Sequence, residues 1–177
     1  QSRGHKGQGM SCSEAARYVH EKGGILLRKD YGKVDLSKYD SEIGADHDIP
    51  NSIYRDEARK HQVKTISSIR TVQEARDALA NGYSLSVCSG HGFSSKRDKN
   101  GIAKKSSGWN HAMAWIACDD THDIHKESLF LIQNSWGAWN SGPKRLGQPD
   151  GSFWIREKDA RDMLSGGGAW VFSDVNG

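Results

Sequence analysis

Cysteine is scarce. Cys12, Cys88 and Cys118 are the only three among 177 residues, and no two of them form a Cys-x-x-Cys pair. Three cannot all pair, which argues against a disulfide-stapled scaffold. Long apolar runs are also missing. None approaches the roughly 20 residues that a membrane-crossing helix needs, so no membrane partner is expected. Nor is there a large excess of one charge: 25 Lys and Arg against 22 Asp and Glu leave +3, too mild to imply nucleic acid. No internal repeat or low-complexity tract occurs. What the chain does have is a hydrophobic fraction of 35%, a charged fraction of 27% and six tryptophans. Such a composition is polar but well above the disordered range, and the indoles point to a real core. The length suits one domain, 1–177.

Local patterns place the elements. Residues 1–10 are glycine-rich and basic and should form a loop. Ser11 and Glu14 have capping-box spacing and open a helix through about Glu21, with Cys12, Ala15, Ala16 and Val19 as its apolar stripe and Gly23-Gly24 as its stop. Residues 41–59 lack a pattern until a short helix near 53–62. A strand is expected over 63–69. A second capping box, Thr71 and Glu74, then starts a helix with Val72, Ala75 and Leu79 buried and Asn81-Gly82 ending it. Tyr83–Ser89 alternates as a strand with Tyr83, Leu85 and Val87 on one face. Gly90–Gly108, with Lys96, Arg97, Lys99, Lys104 and Lys105, reads as a long solvated basic loop. It has too few aromatics among its charges to bind single-stranded nucleic acid. After residue 142 come a turn-rich excursion (143–151), a strand (151–157), a helix (158–164), a glycine break and a last strand (169–175).

Between these lies the stretch with chemical content, Gly108 to Gly142. His111–Cys118 and Leu129–Gln133 read as two apolar strands joined by a polar tip. Pairing Cys118 with Leu129 sets His111 across from Trp136 and Asn134 across from Met113. A slip of one or two residues then brings imidazole and carboxamide into hydrogen-bond range. A histidine that works as a base needs its ring and tautomer held by a partner on the other nitrogen. A neutral amide can do this beside a thiolate–imidazolium pair. The tip itself carries Asp119, Asp120, His122, Asp123 and His125. It lacks a matching distant ligand, so it reads as solvated rather than as a metal site. His5, His20, His47, His61 and His91 read as surface residues.

Asn110-His111-Ala112-Met113 followed by Gln133-Asn134-Ser135-Trp136-Gly137 resembles the histidine and asparagine blocks of the papain-like cysteine peptidases. The resemblance is strongest over 108–142 and extends to 8–40, which is similar to that family's glycine-rich substrate loop and the helix after it. It implies an α+β fold, mostly the antiparallel β-barrel lobe plus part of the helical lobe. It implies His111 as general acid/base, Asn134 as its orienter and Trp136 as the indole shielding their bond. Gly9, Met10 and Asn110 become substrate contacts, and the partner is a protein or peptide substrate, with no cofactor and no metal.

The family's nucleophile block, a glutamine and then a cysteine opening a buried helix, should precede the glycine-rich loop. The chain starts at Gln1 only a few residues before that loop. It therefore reads as a fragment or processed product whose thiol is supplied by an N-terminal segment. Cys12 is the substitute within the chain, with Gln8 four residues earlier. At a helix start its thiol pKa would fall, but its place at the head of an apolar stripe points it inward. Cys88 and Cys118, on buried strands, read as structural thiols. Two other functions stay open: a non-catalytic papain-like binding module, and a compact Cys-His cell-wall amidase or peptidase that uses Cys12.

Overall fold

The computed structural model describes residues 9–32, 35–38 and 51–175. The expectations for residues 1–8, including His5 and Gln8, and for His47 lie outside them. The elements are α1 (Cys12–Tyr18), a π-helical turn (Val19–Gly23), α2 (Asn51–Lys60), β1 (Val63–Ile69), α3 (Val72–Ala80), β2 (Leu85–Arg97), β3 (Ala103–Asp119), β4 (Leu129–Gln133), β5 (Ser152–Arg156), α4 (Glu157–Leu164) and β6 (Ala169–Val175). One six-stranded sheet runs in the order β1-β6-β2-β3-β4-β5. Two compact units emerge: residues 1–66 with 172–177, and residues 67–171.

In the first unit Ser11 caps α1, its hydroxyl accepting from Glu14 N at 3.2 Å. The expected stripe turns inward, with Ala16 buried and Cys12, Ala15 and Val19 half-buried. The last turn widens into the π-helical form before Gly24, which lies at φ +72°. A side chain at Gly24 would put its Cβ 2.1 Å from the Ala58 carbonyl oxygen, so glycine lets α2 approach.

In the second unit Thr71 and Glu74 form the complete reciprocal box that opens α3. The helix ends in a Schellman turn: Gly82 N donates to Leu79 O and Tyr83 N to Ala78 O, both at 3.0 Å. Tyr83 is therefore consumed by the helix cap. It is 42% exposed and lies off the strand face it was expected to share, so β2 starts at Leu85.

The largest departure from the sequence reading is Gly90–Gly108, expected as a loop. Most of it is sheet, a long β2–β3 hairpin reversed at 98–102, where Asp98 Oδ1 accepts from Asn100 N (2.8 Å) and Ile102 N (3.0 Å). The β2–β3 ladder shifts register between Ser89 and His91, between His91 and Phe93, and between Phe93 and Arg97. Each irregularity breaks the two-residue period, which erases the alternation that marks a strand. The Asp-x-Asn-Gly turn at 98–101 was the signal available. This turn also covers the outer edge of β5: Trp154 N donates to Gly101 O, and Ile102 bridges Trp154 in parallel. Ile102, Leu129, Leu131 and Trp154 form a small apolar cluster there. The main core fills the other side, with Trp115, Phe93, Phe130, Phe153, Leu85 and Ile132 fully buried.

Candidate active site

His111 sits on β3 opposite Ser89 of β2, and Asn134 follows the last residue of β4. The β3–β4 ladder sets their separation. Ala114 pairs with Gln133 and Trp115 with Ile132, the register expected from the sequence. A bulge between Trp115 and Ala117 then shifts the far half by one residue, so Cys118 faces Phe130 and not the expected Leu129. The site lies on the unshifted side, so the slip expected to bring the two side chains together does not occur: they meet in the unslipped register. His111 Nε2 comes 2.9 Å from Asn134 Oδ1, across 23 residues of chain.

The protonation state at that bond follows from its neighbours. Ser135 N is an obligate donor and reaches Asn134 Oδ1 at 2.7 Å, so the amide must present oxygen on that side. The same oxygen meets His111 Nε2, which therefore carries the hydrogen. In the neutral ring Nδ1 is left as the acceptor, free to take a proton. Asn134 is only 3% exposed, so its carboxamide is shielded from competing water.

Aromatic rings wall the pair. Trp136 stacks on the imidazole at 4.7 Å between centroids and 29° between planes. Trp109 packs on Trp136 at 4.9 Å and on Trp139 at 5.5 Å, and Trp139 also meets Trp136 edge-on at 5.5 Å. Trp136 keeps 42% of its surface exposed, giving the site an open indole face. Trp109 and Trp139 were not singled out by the sequence reading. Trp139 is three residues beyond Trp136, and Trp109 two before the histidine, on the same strand face.

Three further site residues were expected. Asn110 is exposed on β3, one residue before the histidine. Gly9, exposed at φ +82°, and Met10, half-buried, precede α1 in the other unit.

No free thiol lies beside His111 among the described residues. Cys118 is free, but it is seven residues along the same strand, roughly 23 Å away at strand rise. Burial first, then the hydrogen bond to Asp120, push its thiol up to about 12. Cys12 and Cys88 are each disulfide-bonded. That corrects the reading of Cys88 as a structural thiol, and it leaves Cys12 no thiolate for the compact amidase alternative.

Three surface expectations also change. His61 has a side chain only 13% exposed, near Glu57. His91 is half-buried, its Nδ1 enclosed. The acidic hairpin tip is only partly solvated: Asp119 is 7% exposed and pairs with Arg145, which also holds Asp123 at 2.9 Å. Arg76 takes Asp120.

No protein-family model and no curated protein sequence matches the chain. Solved structures do match it. Xylellain, a cysteine protease from Xylella fastidiosa, aligns at TM-score 0.55 and 19% identity, covering 97% of this chain and 65% of that one. The cysteine protease and lectin-like domains of Cwp84, a surface layer associated protein of Clostridium difficile, align at TM-score 0.60 and 23% identity, covering 95% and 37%. The proform of the ragweed pollen cysteine protease Amb a 11 aligns at 0.56 and 15%, covering 90% and 44%. The chain thus spans between 37% and 65% of these solved chains. Its α+β architecture, with a curled antiparallel sheet, is the papain-like cysteine protease fold.

Proposed function

We propose that the chain carries the histidine–asparagine half of a cysteine-type peptidase, within a single papain-like domain. The observation that supports this reading is the 2.9 Å His111–Asn134 bond, with the tautomer it imposes. In the proposed reaction a cysteine thiol gives its proton to His111 Nδ1, and the sulfur attacks the peptide carbonyl carbon. The tetrahedral intermediate collapses as the C–N bond breaks, and the imidazolium gives its proton to the leaving amine. Water then attacks the thioester with His111 as base, which releases the acid and restores the thiol. Asn134 holds the ring through both half-reactions, and Trp136 keeps water from their bond. Gly9, Met10 and Asn110 contact the substrate backbone. The nucleophile comes from a segment other than those described.

The test is hydrolysis of fluorogenic peptide amides by the full natural polypeptide. His111→Ala should lower kcat by about 10²–10⁴-fold. Asn134→Ala, which leaves the base present but loose, should lower it by roughly 10–100-fold. If His111→Ala keeps the wild-type rate, the mechanism is wrong. If the wild-type polypeptide neither cleaves peptides nor reacts with a peptidyl thiol-directed electrophile, the non-catalytic binding module is the better reading.

A further inference from the structure

Arg97 stands out because its sequence context and its environment disagree. It belongs to a run of lysines and polar residues, yet it is 5% exposed. Its guanidinium makes four hydrogen bonds, three to the segment that follows Trp136 and one to the start of β5: Nε to Pro143 O (2.9 Å), Nη1 to Asn140 Oδ1 (2.6 Å), Nη2 to Gly142 O (2.7 Å) and Nη1 to Ser152 O (3.0 Å). None of these acceptors is a carboxylate. The buried charge strengthens bonds to neutral carbonyls, each stronger than a neutral donor would give. Its own N–H adds a fifth tie, to Ser141 O at 3.0 Å.

We propose that Arg97 is a positioning residue for the His111–Asn134 pair, acting through the segment it grips. The route is short. The chain leaves β4 at Gln133, whose amide is tied to Asp150 O (3.1 Å). It carries Asn134, Trp136 and Trp139 and is caught again at Asn140. There Asn140 takes Arg97 on its oxygen and gives its Nδ2–H to Ser152 O (2.9 Å). Between those anchors, Trp139 Nε1 donates to Gly151 O (3.0 Å), and the Trp139 ring abuts Trp136, which stacks on His111. A segment anchored at both ends keeps an otherwise exposed indole over the imidazole. Freed at Asn140–Pro143, it would let Trp136 swing out and admit water to the Nε2–H bond. Lysine cannot replace this arginine. Its donors radiate from one nitrogen and cannot span four separated acceptors.

This inference rests on reading His111–Asn134 as the catalytic pair, but its test does not use peptidase activity. Solvent exchange of the His111 Nε2–H is followed by NMR in the chain as it stands, in Arg97→Lys, in Asn140→Ala and in Val171→Ala, a core variant on β6. Loss of the charge-assisted anchor at Asn140, common to both, should speed exchange by about tenfold or more in the first two variants. Val171→Ala should leave it unchanged at a comparable loss of Tm. Should Arg97→Lys fail to fold, Asn140→Ala decides, since it keeps the arginine with its bonds to Gly142, Pro143 and Ser152 and removes only the Asn140 side-chain anchor to Arg97 and to Ser152 O. A folded Asn140→Ala with wild-type exchange overturns the proposal. So does equal acceleration in Val171→Ala, or a wild-type Nε2–H that already exchanges as in free histidine. Absence of peptidase activity would sink the enzymatic reading while leaving this measurement intact.

Discussion

The His111–Asn134 bond can be measured without any substrate, as a coupling energy in a double-mutant cycle. His111→Ala removes a hydrogen bond, about 1 kcal/mol, together with the Trp136 stacking contact at 4.7 Å, about 1 kcal/mol more. Its total cost should be near 2 kcal/mol. Asn134→Ala removes the one oxygen that serves both His111 Nε2 and Ser135 N. Ser135 is exposed and His111 half-buried, so water replaces much of what those donors lose. This change should also cost about 2 kcal/mol. The double variant loses the shared bond only once and should fall short of the additive value by about 1 kcal/mol. In urea unfolding followed by far-UV circular dichroism, with a slope of about 2 kcal/mol per molar, each single change should lower the midpoint by about 1 M. A coupling within about 0.3 kcal/mol of zero, the range for independent sites, would mean that the two side chains do not meet in solution. The catalytic reading would then lose its geometric basis.

Two further outcomes follow from the same unit. Burial pushes the Asp119 carboxyl up, but hydrogen bonds from Arg145 and Thr121 outweigh it and hold the group below the usual carboxylate range. A depressed folded value means that its stabilisation is complete above the unfolded value, about 4, and is lost as the pH falls through the folded one. Asp119→Asn should therefore cost roughly 3 kcal/mol at neutral pH and flatten the acid limb below about pH 4 in thermal melts. An unchanged acid limb would rule out this pairing. Gly92→Ala sets a Cβ 1.9 Å from Ser107 O and 2.7 Å from the Trp109 ring, whereas Gly90→Ala meets nothing within 4 Å. The first should cost about 1–3 kcal/mol in urea unfolding and the second within about 0.5, and equal costs would contradict the seat assigned to Trp109.

Much of the molecule was legible because it is governed locally. A threonine three residues before a glutamate closes its capping box whatever surrounds it, and α3 begins where that pair places it. An asparagine–glycine end terminates the same helix because only glycine enters φ +82° without strain. The short apolar run Leu129–Ile132, too brief for an ordinary helix, reads as a buried strand, and β4 is paired on both edges. Its pairing with the His111 strand was correct near the site, where the ladder is regular. The resemblance carried by Asn-Ser-Trp-Gly pointed to a papain-like fold, and the fold agrees with it.

The remainder depended on contacts between distant residues. The β2–β3 extension was hidden because three register shifts destroyed its period. Arg97 was hidden because a cation in a lysine-rich run carries no mark of burial until Pro143, Gly142 and Ser152 present their carbonyls to it. Whether Cys12 and Cys88 are thiols or oxidised depends on the approach of partners that spacing does not reveal. The sequence alone determined which residues could form a base and its orienter, because that is a matter of chemical type and strand periodicity. Only the tertiary structure decided that they meet: a bulge past Trp115 shifts one half of the ladder and spares the half that carries His111. A single residue of register there separates a 2.9 Å hydrogen bond from side chains on opposite faces of the sheet.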